Sequence, residues 1–195
     1  MNFINPSVEV LFVNPEALRL IELAGRTCYK SEDKITEDSN IDFAKMILKL
    51  GHESVIEHVS ATIKFVCDRG VTHEIVRHRL ASYSQESTRY CNYGKLGINF
   101  IVPCDFELDE DDLELLKSIE THYNKCLEKG RKPQQARYFL PNGLKTEIVM
   151  TCNLREWAHF FTLRTSKAAH PQMVEVATIA LEEMKKRIPI IFDSL

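Results

Sequence analysis

The chain has 195 residues, is 44% hydrophobic and 27% charged, and carries a formal charge of -3. At that length it can bury roughly 70% of its extended-chain surface, so it needs no disulfide or metal staple to hold a core. The slightly acidic balance excludes a surface given over to nucleic acid, and any anion site must be local. Six scattered cysteines without a CxxC pair read as reduced thiols. "MNFINPSVEVLF" has neither a basic leader nor an apolar one, and no apolar run approaches the roughly 20 residues of a membrane span. A soluble, cytoplasmic protein is expected.

In chain order, Ser7–Val13 alternates as a strand, and Asn14-Pro15 opens a helix running to about Gly25. A second helix, Ile41–Leu50, turns Phe43, Met46, Ile47 and Leu50 to one face and stops at Gly51. His58–Asp68 is the clearest strand, with Val59, Ala61, Ile63, Phe65 and Cys67 on one side. Val71–Val76 is helical. Asp109–Glu128 is a long helix with Leu116, Ile119, Tyr123 and Leu127 inward. Pro133 begins a short helix, Thr146–Cys152 is a strand, and Leu154–Arg164 and Pro171–Arg187 are helices. Without a regular βαβ alternation the class is α+β, a mixed sheet packed with helices. No repeat or linker interrupts the chain, so one domain over 1–195 is expected.

Several chemistries are absent. There is no GxxxxGK[ST], GxGxxG or GxSxG. "HEIVRH", His73 to His78, is one residue too long for a zinc helix motif, because five residues leave the two imidazoles about 140° apart on a helix. No metal site is expected. Phosphate binding then falls to arginine, whose planar fork grips it bidentately. "RHRLASYSQESTRY", Arg77 to Tyr90, gathers Arg77, Arg79 and Arg89 with His78 and the hydroxyls of Ser82, Ser84, Ser87 and Thr88. It is too polar for a core element and too dense in donors for an idle loop. Arg137, Arg155 and Arg164 recur downstream, but spacing alone does not make them converge.

The stretch resembles the RHRxxS signature of the flavin-dependent thymidylate synthases, the ThyX family, through Arg77, His78, Arg79 and Ser82. "GHESVIEH", "QARYFLP", "NLREWAHFFTLR" and "HPQMVEVA" match further family segments in order, so the likeness runs from about Arg26 to Ala177. The resemblance implies methylation of C5 of dUMP to dTMP, with methylenetetrahydrofolate as carbon donor and NADPH-reduced FAD as hydride source. It implies a ThyX-like fold and a homotetramer that shares its FAD clefts between subunits. No nucleic acid polymer or membrane partner is implied.

By the same resemblance, Arg77, His78 and Arg79 meet FAD, with Ser54, Gln85, Asn153, Arg155 and His159 completing its site and His52 near the flavin ring. The dUMP candidates are Glu74, Arg77, Gln85, Glu86, Ser87, Thr88, Arg89, Arg137 and Arg164. Among them Arg164 is the catalytic residue, set against the uracil to favour ionisation at N3. Glu74 stands where the family often has glutamine, Ser84 and Gln85 replace a frequent Asn-Glu, Thr88 replaces a common glycine, and His159 replaces a frequent asparagine. Two extra residues separate Arg164 from His170 relative to shorter relatives. The competing readings are a flavin-free nucleotide-binding or regulatory module, which would be colourless, and a metal-dependent nucleotide hydrolase, which a chelator would silence.

Overall fold

The alternation of apolar and polar residues that marks a half-buried strand is carried through in β3 (Ser60–Asp68). Ala61, Ile63, Phe65 and Cys67 are buried, while Thr62 and Lys64 face the other way in the computed structural model, which describes residues 1–195. On one side β3 pairs with β2 (Ser7–Val13). On the other it pairs with β6 (Lys145–Asn153) in an unbroken antiparallel register from Ser60↔Asn153 to Asp68↔Lys145. A shift between Val10 and Phe12 marks a bulge in β2. β4 (Ala81–Gln85) closes the sheet, whose order is β2-β3-β6-β4. The polar stretch is therefore partly an edge strand rather than a loop. An edge strand tolerates polar residues because one of its sides meets solvent.

Helices cover one face of this sheet. They are α1 (Ala17–Tyr29), α2 (Ser39–Lys49), α3 (Arg69–Ile75), α7 (Leu154–Arg164) and α8 (Pro171–Arg187), with the one-turn α9 (Pro189–Phe192) at the end. Together they enclose a core of 29 buried residues. A smaller cluster gathers around Tyr93, Phe100 and Tyr123 beside a two-stranded parallel pair, β1 (Asn2–Ile4) and β5 (Asn99–Ile101). The short α4 (Tyr93–Leu96), the long α5 (Glu110–Glu128) and α6 (Pro133–Ala136) belong to that side. Asp109 caps α5 with its side chain accepting the Asp112 N–H, ahead of an acidic first turn. No helix is long and apolar enough to cross a membrane, and all six cysteines are free.

Two helix readings are corrected. α1 does not stop at Gly25 but continues to Tyr29, ending on Lys30 in the left-handed region at φ 48°. Gly25 is there for close approach: a Cβ built on it would sit 2.6 Å from two ring carbons of Phe43 on α2. In α2 the buried residues are Phe43, Ala44 and Ile47, whereas Met46 and Leu50 are exposed. Gly25→Ala sets a helix-propensity gain of about 1 kcal/mol against overpacking of about 1–3 kcal/mol. The expected net is a loss of about 1 kcal/mol, read as a lower urea midpoint at unchanged slope. An unchanged midpoint would mean that the ring moves aside freely.

Candidate active site

Helix α7 organises the site. Its first residue follows directly on β6, with Asn153 at the boundary accepting the Glu156 N–H on its Oδ1 at 2.9 Å. Trp157, Phe160 and Phe161 drive one face of α7 into the core, and the Trp157 indole donates to the Ala61 carbonyl of β3 at 3.1 Å. That anchorage fixes where Glu156, His159 and Arg164 project.

The first segment of the polar stretch folds back on α7. After α3 the chain turns through Arg77, His78 and Arg79 into β4, and the Tyr83 hydroxyl on β4 bonds the carbonyls of Ile75 and His78. His78 is buried, 5% exposed. Its Nδ1 lies 2.9 Å from Glu156 Oε1, and its Nε2 accepts from Arg164 Nε at 3.0 Å. Its ring meets Phe160 and His159 edge-on, with centroids 4.9 and 5.7 Å away. Arg164 gives its two terminal nitrogens to Glu74, Nη1 to Oε2 at 2.8 Å and Nη2 to the backbone carbonyl at 3.1 Å. Four side chains thus form one line: Glu74, Arg164, His78, Glu156.

The line has a definite proton arrangement. Guanidinium nitrogens only donate, so Nε2 of His78 must be bare, and the ring's single proton sits on Nδ1 and points at Glu156. Burial lowers the His78 pKa from its ordinary 6.5, the Glu156 hydrogen bond works upward against it, and the Arg164 charge lowers it again. The unfolded chain therefore binds this proton first. Its contribution to stability is complete above pH 6.5 and is lost as pH falls below that value toward the lowered one. Tyr83 is pushed up to about 12, chiefly by burial and then by Cys152 and Glu156.

A cleft of about 740 Å³ opens over this line, lined by Arg77, His78, Arg79, Glu156, His159 and Arg164 with the turn after α7. Arg77 and Arg79 are exposed on it, and neither is drawn into an ion pair within the chain. A neighbouring cleft of about 820 Å³ shares Glu156, His159 and Thr162 and adds Asn153 and Arg155. Arg155 is held there by Glu53 and Glu57 from the short 3-10 helix Glu53–His58. His52 and Ser54 lie exposed at the start of that segment and line neither cleft.

The second half of the polar stretch lies elsewhere. Gln85 turns its amide to Thr72 and Thr146, at 2.9 and 3.4 Å. Both oxygens of Glu86 are engaged, one by the Tyr93 hydroxyl and one by Lys145. Arg137 bonds the Thr88 hydroxyl at 3.2 Å, Arg89 bonds Gln134, and the Ser87 hydroxyl accepts the Arg89 N–H. Neither cleft is lined by any of Ser87, Thr88, Arg89 and Arg137. Sequence reading missed Glu156 and Tyr83. An acid in the first turn of a helix is ordinarily a dipole partner facing water, and only the fold shows that this one is 8% exposed against His78.

His78, Glu156 and His159 offer ligand atoms within 4.8 Å of one another. A cation there would have to displace either the Arg164 donor or the Glu156 contact from His78, so the geometry favours the hydrogen-bonded line over a metal centre. Glu74, which stands where the family often has glutamine, is neutralised by its ion pair with Arg164.

Fold and cleft together define a class: an α+β protein whose cleft carries the unpaired arginines Arg77 and Arg79, in a chain without a glycine-rich phosphate loop. A family model described as thymidylate synthase complementing protein matches residues 9–190. The chain is 37% identical over 175 residues to the flavin-dependent thymidylate synthase of Pyrococcus furiosus, covering 86% of this chain and 72% of that relative. A solved structure of thymidylate synthase X from Helicobacter pylori with FAD and dUMP superposes with a TM-score of 0.79 at 23% identity, covering 97% of this chain and 98% of the other. The UMP/dUMP methylase PolB of Streptomyces cacaoi, bound with 5-Br dUMP, superposes at 0.83 and 23%, covering 99% and 96%. The two structural likenesses establish the fold. The chain belongs to the family of thymidylate synthase complementing proteins, the flavin-dependent thymidylate synthases.

Proposed function

We propose that the chain converts dUMP to dTMP, taking the one-carbon unit from methylenetetrahydrofolate and the reducing equivalents from NADPH by way of FAD. The observation that carries this reading is the meeting of Arg77, His78, Arg79 and Arg164 at one cleft, in a chain matched to this family along residues 9–190. Bound FAD supplies the hydride that turns the transferred carbon into a methyl group. The protein's part is then binding, orientation and electrostatics.

The donor set suits FAD. A diphosphate needs cations that are not already neutralised, and the unpaired forks of Arg77 and Arg79 answer to that. Asn153, Arg155 and His159 lie alongside in the second cleft, with Ser54, His52 and Gln85 as the remaining candidates. Arg164 would stand against the uracil, where a fixed cation stabilises charge that develops on the ring and favours ionisation at N3. Ser87, Thr88, Arg89 and Arg137 suit the phosphate of dUMP; with no adjacent base, Ser87 is a ligand rather than a nucleophile. Because they lie away from the arginine cleft, a complete site calls for a second copy of the chain. That supports an oligomer of single-domain subunits, each spanning 1–195, with active sites shared between them, in keeping with the homotetramer the family resemblance implies. The six free thiols suit a reducing cytoplasm.

dTMP formation should require all four of dUMP, methylenetetrahydrofolate, NADPH and FAD, each tested by omission. A protein that binds dUMP and forms no dTMP with all four present would leave the nucleotide-binding reading in its place. Arg79→Ala should weaken FAD binding about 10- to 100-fold, since a charge-assisted hydrogen bond is worth about 1.5–3 kcal/mol. An unchanged FAD titration would remove Arg79 from the cofactor site.

A further inference from the structure

We propose that Glu156 positions Arg164 for the reaction by holding His78 as its Nδ1–H tautomer. The inference rests on the dTMP synthesis proposed above and adds a residue that acts through His78.

Glu156 and Arg164 stand at opposite ends of α7, eight positions and so about 12 Å apart along the axis. His78 comes from a different segment and bridges them, one ring nitrogen to each. A neutral imidazole can take its proton on either nitrogen, and only one choice leaves Nε2 as an acceptor for the Arg164 Nε–H. Glu156 secures that choice from the Nδ1 side, because a carboxylate accepts and cannot donate, as Arg164 favours it from the Nε2 side. Both partners are almost wholly buried, at 5% and 8% exposure. Water therefore cannot easily replace Glu156 on Nδ1 if the carboxylate is lost. Glu74 clamps the far side of the guanidinium through Nη1 and Nη2. With Nε tied to His78, the planar group is fixed on two edges.

The charged and titratable groups around His78 come from every element packed on it. Glu74 ends α3, Arg77 and Arg79 flank the ring in sequence, Tyr83 lies on β4, and Glu156, His159 and Arg164 are on α7. A second proton on His78 would put a donor at Nε2 facing the donor of Arg164, two like charges in hydrogen-bond contact, and release Arg164 from its orientation. Protonation should therefore appear as an acid limb in turnover.

The test is Glu156→Gln in the FAD-loaded enzyme. An amide can accept from Nδ1–H or donate to a bare Nδ1, so the tautomer loses its support at Nδ1 and rests on the Arg164 contact alone. Turnover should fall by roughly 10- to 100-fold, by analogy with the loss of a partner that orients a metal-ligating histidine, with little change in KM for dUMP. The acid limb should move to lower pH, because a carboxylate that favours the protonated ring has gone. A merely structural role would leave that limb in place, and an unmoved limb with unchanged turnover overturns the proposal. A second readout needs no activity. Nitrogen NMR of histidine-labelled native protein should show His78 protonated at Nδ1 and bare at Nε2 in mildly alkaline buffer. The opposite tautomer, or a doubly protonated ring, overturns the proposal even if dTMP is made. The expected tautomer with no dTMP synthesis would refute the functional reading and leave the tautomer assignment standing.

Discussion

Arg164→Ala is expected to lower turnover by about 10²–10³-fold while FAD stays bound, the loss typical of a removed donor aimed at developing charge. The guanidinium is held by the imidazole of His78 and by Glu74, not by solvent, so little reorganisation is needed when negative charge builds on the uracil. Its removal also strands the Glu74 carboxylate and the Nε2 lone pair of His78. Arg164→Lys separates these effects: it keeps a charge but cannot serve the two edges the fork serves, and it should recover only part of the turnover. FAD content after gel filtration and steady-state rates at saturating dUMP check both. An alanine variant that turns over at the parental rate would remove Arg164 from the chemistry, and one that loses FAD would move it to the cofactor.

The largest expected effect on stability is at Trp157. It is fully buried, stacks on Phe161 at 5.6 Å, lies 6.3 Å from Phe65 of β3, and ties α7 to the sheet through the Ala61 carbonyl. Trp157→Ala removes the ring contacts, opens a cavity and leaves that carbonyl without its indole donor. The expected cost is about 3–5 kcal/mol, a large part of the roughly 5–15 kcal/mol a domain has to lose. Denaturant unfolding followed by far-UV circular dichroism measures it. A loss below about 1 kcal/mol would mean that α7 is not held to β3 in this way.

Elements with a strong period were legible in the sequence. β3 alternates cleanly because one face of its sheet is dry, and α7 and α8 carry apolar residues at helical spacing between clear boundaries. β4 was hidden, because an edge strand with Ser82 and Ser84 exposed has no apolar stripe to show. Gly25 looked like a helix stop because the distant ring of Phe43, which requires it, has no local signature. Met46 and Leu50 fit an amphipathic face by spacing, yet neighbours decide which part of a face is covered. The site divides the same way. The RHRxxS match located Arg77, His78 and Arg79, but the partners of His78 lie 78 and 86 positions downstream. Burial of Glu156 is a property of the packed helix, which composition does not carry.

On the proposed function, the unpaired arginines of this cleft hold a flavin beside a nucleotide. The most direct test is the visible absorption spectrum of the purified protein, reconstituted with FAD, desalted and titrated with dUMP. The expected result is a yellow protein whose flavin bands shift and saturate as dUMP is added, which would place cofactor and nucleotide in contact. A protein that stays colourless after incubation with FAD and desalting would contradict it, and the arginines would then serve another anion.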